Sequence, residues 1–149
     1  MNMLKSEHYI AILTTVVTAI LSSILTNLIF SLMVAYLGVA QVGVGMLSMS
    51  LTAVKLVLGL GAGIFVYNIR ADVQAGAKDG ALIGGVGVFV TALLSGLFTW
   101  VMMLAMTEQM PFNPLAFWVP TLLVNTVLGV ILGAIMAALW PAKAEETNW

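Results

Sequence analysis

Four long stretches, residues 9–37, 44–69, 80–106 and 115–140, hold no charged residue apart from Lys55. Each is longer than the ~20 helical residues needed to cross a ~30 Å hydrocarbon layer, and tilt takes up the excess. With five basic and six acidic residues among 149, and 62% of the chain hydrophobic, an ordinary soluble surface cannot be built. The expected class is therefore an all-α integral membrane protein: a four-transmembrane-helix bundle with short loops, residues 1–149 forming a single membrane domain. The first stretch is read as an uncleaved helix. It greatly exceeds the ~7–15 residues of a signal-peptide core, and no small-x-small cleavage site with a polar start follows it.

The breaks between stretches have chemical causes. Gly38, Gly43 and Gly45 beside Gln41 are poor helix formers and predict a turn between the first two spans. The segment 70–79, with Arg70, Asp72, Gln74, Lys78 and Asp79, is polar enough to be a connection outside the membrane. Pro111 and Pro114 interrupt the third and fourth spans, and Pro141 closes the fourth. Pro120 is expected in the first turns of a helix that starts near Phe117, where a missing amide hydrogen costs least. Asp79 is a candidate cap for the third helix, and Asn68 is placed to help end the second.

Four spans put both termini and the 70–79 connection on one side. Lys5, Arg70, Lys78 and Lys143 then share that side, while the two opposite loops contain no Lys or Arg and only Glu108 as a charge. Short loops rich in Lys and Arg stay inside, so both termini are expected in the cytoplasm. Tyr9, Tyr67 and Trp140 fall near that interface, and Tyr36, Phe112 and Trp118 near the other, as amphipathic rings prefer. With no transit or retention signal, a prokaryotic inner membrane is the default location.

An echo joins the two halves of the chain. At an offset of 70, Val54, Val57, Leu58, Gly59 and Gly63 recur as Val124, Val127, Leu128, Gly129 and Gly133, and Lys55 faces Asn125. A parallel duplication of a helical hairpin would produce this pattern. Chance recurrence among a few apolar residue types is the alternative, and spans one and three match poorly at the same offset.

Small residues recur at helical spacing in every span. Gly59 and Gly63 mark the second, Gly129, Gly133 and Ala137 the fourth, and Gly80, Gly84, Gly87, Thr91 and Ser95 the third. Thr15, Thr18, Ser22 and Thr26 give the first span a weakly polar face. Such stripes let helix backbones approach where lipid supplies no hydrophobic force for association, so Gly59, Gly63, Gly84, Gly129 and Gly133 are expected at helix contacts.

Lys55 needs a separate account, because an ammonium ~16 Å into a helix starting near Val44 lies deep in the membrane. Asn27, Ser95 and Asn125 are expected at a similar level and could form one polar layer with it, contacting a ligand or a partner. Snorkelling towards the headgroups is the other way to satisfy the charge. No intramembrane Asp or Glu is present to pair with it.

The same inventory excludes several functions. There is no cysteine, and His8 is the only histidine, so thiolate chemistry and multi-histidine metal ligation within one subunit are absent. A Ser95–Lys55 pair is the only conceivable catalytic arrangement, and it has no extramembrane domain to recognise a substrate. No enzyme activity, cofactor or metal is therefore expected. A net charge of −1 with scattered Lys and Arg leaves no surface for nucleic acid. Two classes remain: a structural or accessory subunit of a membrane complex held through its glycine-rich faces, or a self-oligomerising small channel or transporter subunit with a polar layer around Lys55. Membrane lipids, further copies of the chain or a larger membrane complex are the expected partners.

Overall fold

The computed structural model describes residues 5–37, 44–106 and 114–140. These form four α-helices, α1 (Ser6–Leu37), α2 (Val44–Ala71), α3 (Ala77–Met106) and α4 (Pro114–Leu139), and no strand occurs among the described residues. Each helix contains a segment long and apolar enough to cross a membrane. Most of the turn expected near 38–45, the loop with Glu108 and Phe112, and Lys143 lie outside the described residues.

Helix ends differ from the sequence expectation by a few residues, for local reasons. α3 starts at Ala77 rather than Gly80, because Asp79 acts from inside its first turn. The Gly76 N–H donates to Asp79 Oδ2 at 3.2 Å, and Gly80 N–H donates to Gly76 O at 2.9 Å, which is the first helical bond. A side chain three residues into a helix that reaches back to the capping amide is half of a capping box. α2 runs on to Ala71 and ends where Asp72 takes φ 51°, the left-handed conformation that closes many helices. Asn68 does not end the helix; its Oδ1 accepts the Ala75 N–H at 2.6 Å and anchors the connection instead. α4 begins at Pro114, so Pro120 lies within its second turn and leaves the Ala116 carbonyl without its usual intrahelical donor.

α1 pairs with α2 and α3 with α4, giving two hairpins side by side. α1 also lies against α3, and α2 against both α3 and α4, while α1 and α4 make no contact among the described residues. The enclosed core is small: one cluster, Ala11, Ile64, Tyr67, Ala75, Ile83 and Ala137, lies towards the 72–76 connection, and Leu60, Val16, Ala19 and Val88 are buried further along the bundle. Most larger apolar side chains point outwards, among them Leu13, Leu21, Phe65, Phe98 and Ile131. This is the arrangement expected when lipid rather than water surrounds the bundle, since burying such groups inside then brings no hydrophobic gain.

Candidate functional site

Glycines make the helix contacts within each hairpin. A Cβ built on Gly59 would lie 3.1 Å from both Thr15 O and Ala19 Cβ, and one on Gly63 would strike Thr15 Oγ1 and the Ala11 carbonyl. Between α3 and α4 the approach is closer. A Cβ on Gly129 would lie 2.6 Å from Gly84 O and 2.7 Å from Val88 Cβ, while Gly133, Gly80 and Gly84 meet backbone to backbone. All five glycines singled out from the sequence are buried against a neighbouring helix of the same chain.

The register of these contacts fixes the level of the polar residues. Gly59 sits opposite Thr15 and Ala19, and Gly63 opposite Ala11 and Thr15. Continuing that step, Lys55 falls opposite α1 near Leu21, about six residues and ~9 Å short of Asn27. In the second hairpin Gly129 sits opposite Gly84 and Val88, so Asn125 falls near Val90, about five residues and ~7 Å from Ser95. Lys55 and Asn125 are half-buried, whereas Asn27 and Ser95 are exposed on the outside of the bundle. Among the described residues, no hydrogen bond joins Lys55, Asn27 and Asn125 to one another.

The densest polar cluster is at the opposite level, where α1 and α3 begin. His8 is 4% exposed, and its Nδ1 accepts the Lys5 backbone N–H at 3.3 Å. That bond places the ring proton on Nε2, which donates to Asp79 Oδ1 at 3.1 Å. His8 and Asp79 are therefore a matched pair: each is three residues into its helix, each accepts from its own capping amide, and the two bond to each other. The His8 ring also packs against Tyr67 of α2, with ring centroids 4.8 Å apart. Nearby, Gln74 Nε2 donates to Trp140 O at 2.6 Å, which ties the connection to the end of α4. All four helices are thus fastened at this end.

Chemically, this cluster is a set of hydrogen bonds that fastens helix ends together. His8 is enclosed by Tyr67 and Asp79, and no group of three or more His, Asp or Glu capable of holding a metal occurs among the described residues. Sequence reasoning gave His8 no part. A signal was present in the spacing, because Lys5-x-x-His8 and Gly76-x-x-Asp79 each put a hydrogen-bonding side chain three residues after a helix boundary. No protein-family model, curated protein or solved structure matches the chain.

Proposed function

We propose that the chain is a multi-pass membrane protein acting as a structural or accessory subunit of a membrane complex. The observation that supports this most is the backbone contact of Gly80 and Gly84 with Gly129 and Gly133. Glycine stripes used in this way draw α3 and α4 together with no room for a lined passage between them, so one copy behaves as a compact membrane-embedded block. On this reading the glycine-rich faces first build the block, and its apolar exterior then meets lipid and partners.

Both termini and the 72–76 connection are proposed to face the cytoplasm of a prokaryotic cell, on the Lys and Arg distribution. The two hairpins are proposed to be a parallel duplication. Gly59 opposite Thr15 and Ala19 has its counterpart in Gly129 opposite Gly84 and Val88, and Gly63 opposite Ala11 and Thr15 has its counterpart in Gly133 opposite Gly80 and Gly84. At an offset of 69 rather than 70, Leu13, Val17, Leu25, Leu28 and Met33 of α1 recur as Leu82, Val86, Leu94, Leu97 and Met102 of α3. One extra residue in the second hairpin reconciles the two offsets.

The test is extraction of the tagged protein from its own membrane in mild detergent, followed by particle mass and identification of co-purifying chains. A stoichiometric complex is the expected result. A lone monomer with no associated chain would overturn the assignment. A homo-oligomer that passes ions or solutes in vesicles, and loses that activity on Lys55→Met, would establish the channel or transporter reading instead.

A further inference from the structure

His8 is the one histidine of the chain, and its ring is held on both sides. Nδ1 accepts the Lys5 backbone N–H at 3.3 Å, and Nε2 donates to Asp79 Oδ1 at 3.1 Å. Both neighbours select the same tautomer, since an amide N–H can only donate and an ionised carboxylate can only accept. The neutral ring therefore satisfies both partners, and it does so while 4% exposed between α1, α2 and α3. An imidazolium cannot do the same. It carries a proton on each nitrogen, so Nδ1 becomes a second donor facing the Lys5 amide, and that bond must open. Nε2 keeps its proton and its bond to Asp79, which becomes charge-assisted and stronger. One bond at the start of α1 is lost, while the bond between α1 and α3 is retained.

We propose that His8 is a proton-operated cap: on protonation its ring releases the Lys5 amide and loosens the first turn of α1, while its bond to Asp79 keeps the two hairpins fastened. Histidine is the one side chain whose charge ordinarily changes between about pH 5 and 8, whereas a carboxylate stays an acceptor across that range. α3 supplies the comparison within the molecule, because Asp79 holds its own capping amide, that of Gly76, at 3.2 Å from the same third helical position. The two helix starts are built alike and respond differently to a proton, α1 opening and α3 staying closed. Lys5 and Glu7 stand beside the ring on α1, Tyr67 faces it from α2 and Asp79 from α3. Arg70 and Lys78 follow on α2 and α3 and are exposed, and α4 has no titratable residue among those described. Asp79, in hydrogen-bond contact, balances charge on the ring where the bond is kept. A cation in the first turn of α1 opposes the helix dipole, which adds to the loosening there. The inference rests on these contacts and stands apart from the subunit reading.

A single histidine makes the test direct, because its ring nitrogens are observed without ambiguity. The full chain, isotope-labelled at histidine, lysine and glycine nitrogen, is held in detergent micelles and followed by NMR from about pH 8 to about pH 5. At the alkaline end the ring is expected as the Nε2–H tautomer, with the Lys5 amide hydrogen-bonded. As the ring takes its second proton, protection of the Lys5 amide from exchange, corrected for the intrinsic rate at each pH, should fall by about twofold to tenfold, as the loss of one hydrogen bond implies. The Gly76 amide should not change. His8→Asn keeps an acceptor at this position and takes no proton, so its Lys5 amide should stay bonded throughout. An Nδ1–H tautomer at alkaline pH, a ring that stays neutral to the acid end, or a Lys5 amide indifferent to the charge on the ring would each overturn the inference, as would the same loss in His8→Asn. The unaltered chain decides the first three outcomes by itself, so the test does not depend on the variant folding.

Discussion

Replacing Gly129 with alanine and, separately, Gly61 with alanine makes the same chemical change in two different surroundings. Ala is the better helix former by up to ~1 kcal/mol, and that gain is common to both sites. What differs is the space for the new methyl. At Gly61 the nearest atom outside the helix is Met136 Cε at 3.6 Å, an ordinary contact with the tip of a flexible side chain. At Gly129 the methyl would lie 2.6 Å from Gly84 O and 2.7 Å from Val88 Cβ. Restoring an ordinary contact of about 3.4 Å there requires α3 and α4 to separate by roughly 0.7 Å, and overpacking of this kind costs about 1–3 kcal/mol. Gly61→Ala should therefore be neutral or stabilising, and Gly129→Ala less stable than Gly61→Ala by about 1–3 kcal/mol. Reversible unfolding by SDS titration in mixed micelles, followed by circular dichroism, measures the difference. Equal midpoints for the two variants would show that α3 and α4 do not approach as closely as the glycine contacts indicate.

The pair of capping side chains gives a second expectation. His8→Ala should cost about 1.5–3 kcal/mol, the range for a hydrogen bond to a charged group, and the His8→Ala, Asp79→Ala double variant should lose clearly less than the sum of the two singles in the same unfolding assay. Additive losses would separate the two residues. At the end of α2, Asp72→Val should destabilise by about 1–2 kcal/mol because a β-branched side chain resists the left-handed conformation, whereas Asp72→Gly should be tolerated; thermal unfolding compares them. Lys55→Met should preserve helix content, particle mass and co-purifying chains if packing is the lysine's role, and loss of one associated component would identify what its ammonium holds. Cysteine labelling of intact cells should leave Gly76→Cys unreactive to an impermeant thiol reagent, with reaction at Asn113→Cys, if the proposed orientation is correct.

The long-range plan was legible because a membrane removes most of the choices. Four apolar stretches had to become helices, since lipid leaves no partner for unpaired backbone groups, and short loops made sequential helices neighbours. The observed helices differ from the expected spans by at most three residues at any end. Those differences trace to His8 and Asp79 capping from the third helical position of α1 and α3, to Asp72 closing α2 and to Pro114 starting α4. Helix-contact glycines were legible for the same reason, since their spacing alone selects a face. The relative levels of Lys55, Asn27, Ser95 and Asn125 were not. Counting from helix ends assumes a shared boundary, whereas the contacts of Gly59, Gly63 and Gly129 set the register within each hairpin and offset Lys55 from Asn27 and Asn125 from Ser95.

His8 illustrates why the polar fastening was hidden. Its significance depends on Asp79, which lies 71 residues away and is brought to it only when α1 and α3 start side by side. A lone histidine next to a span carries no mark of such a partner, whereas a lone glycine pair carries its own geometry. The polar groups consequently divide by location. At the connection end, His8, Asp79, Gln74 and the Asn68 carbonyl oxygen find partners within the chain and hold the helix ends and the connection in place. Towards the other end of α1, Asn27 is exposed. Asn27→Val therefore separates the two kinds of polar group: as an exposed substitution away from any hydrogen bond among the described residues it should change unfolding by no more than about 0.5 kcal/mol, whereas His8→Ala removes a buried partner of Asp79 and should not be neutral.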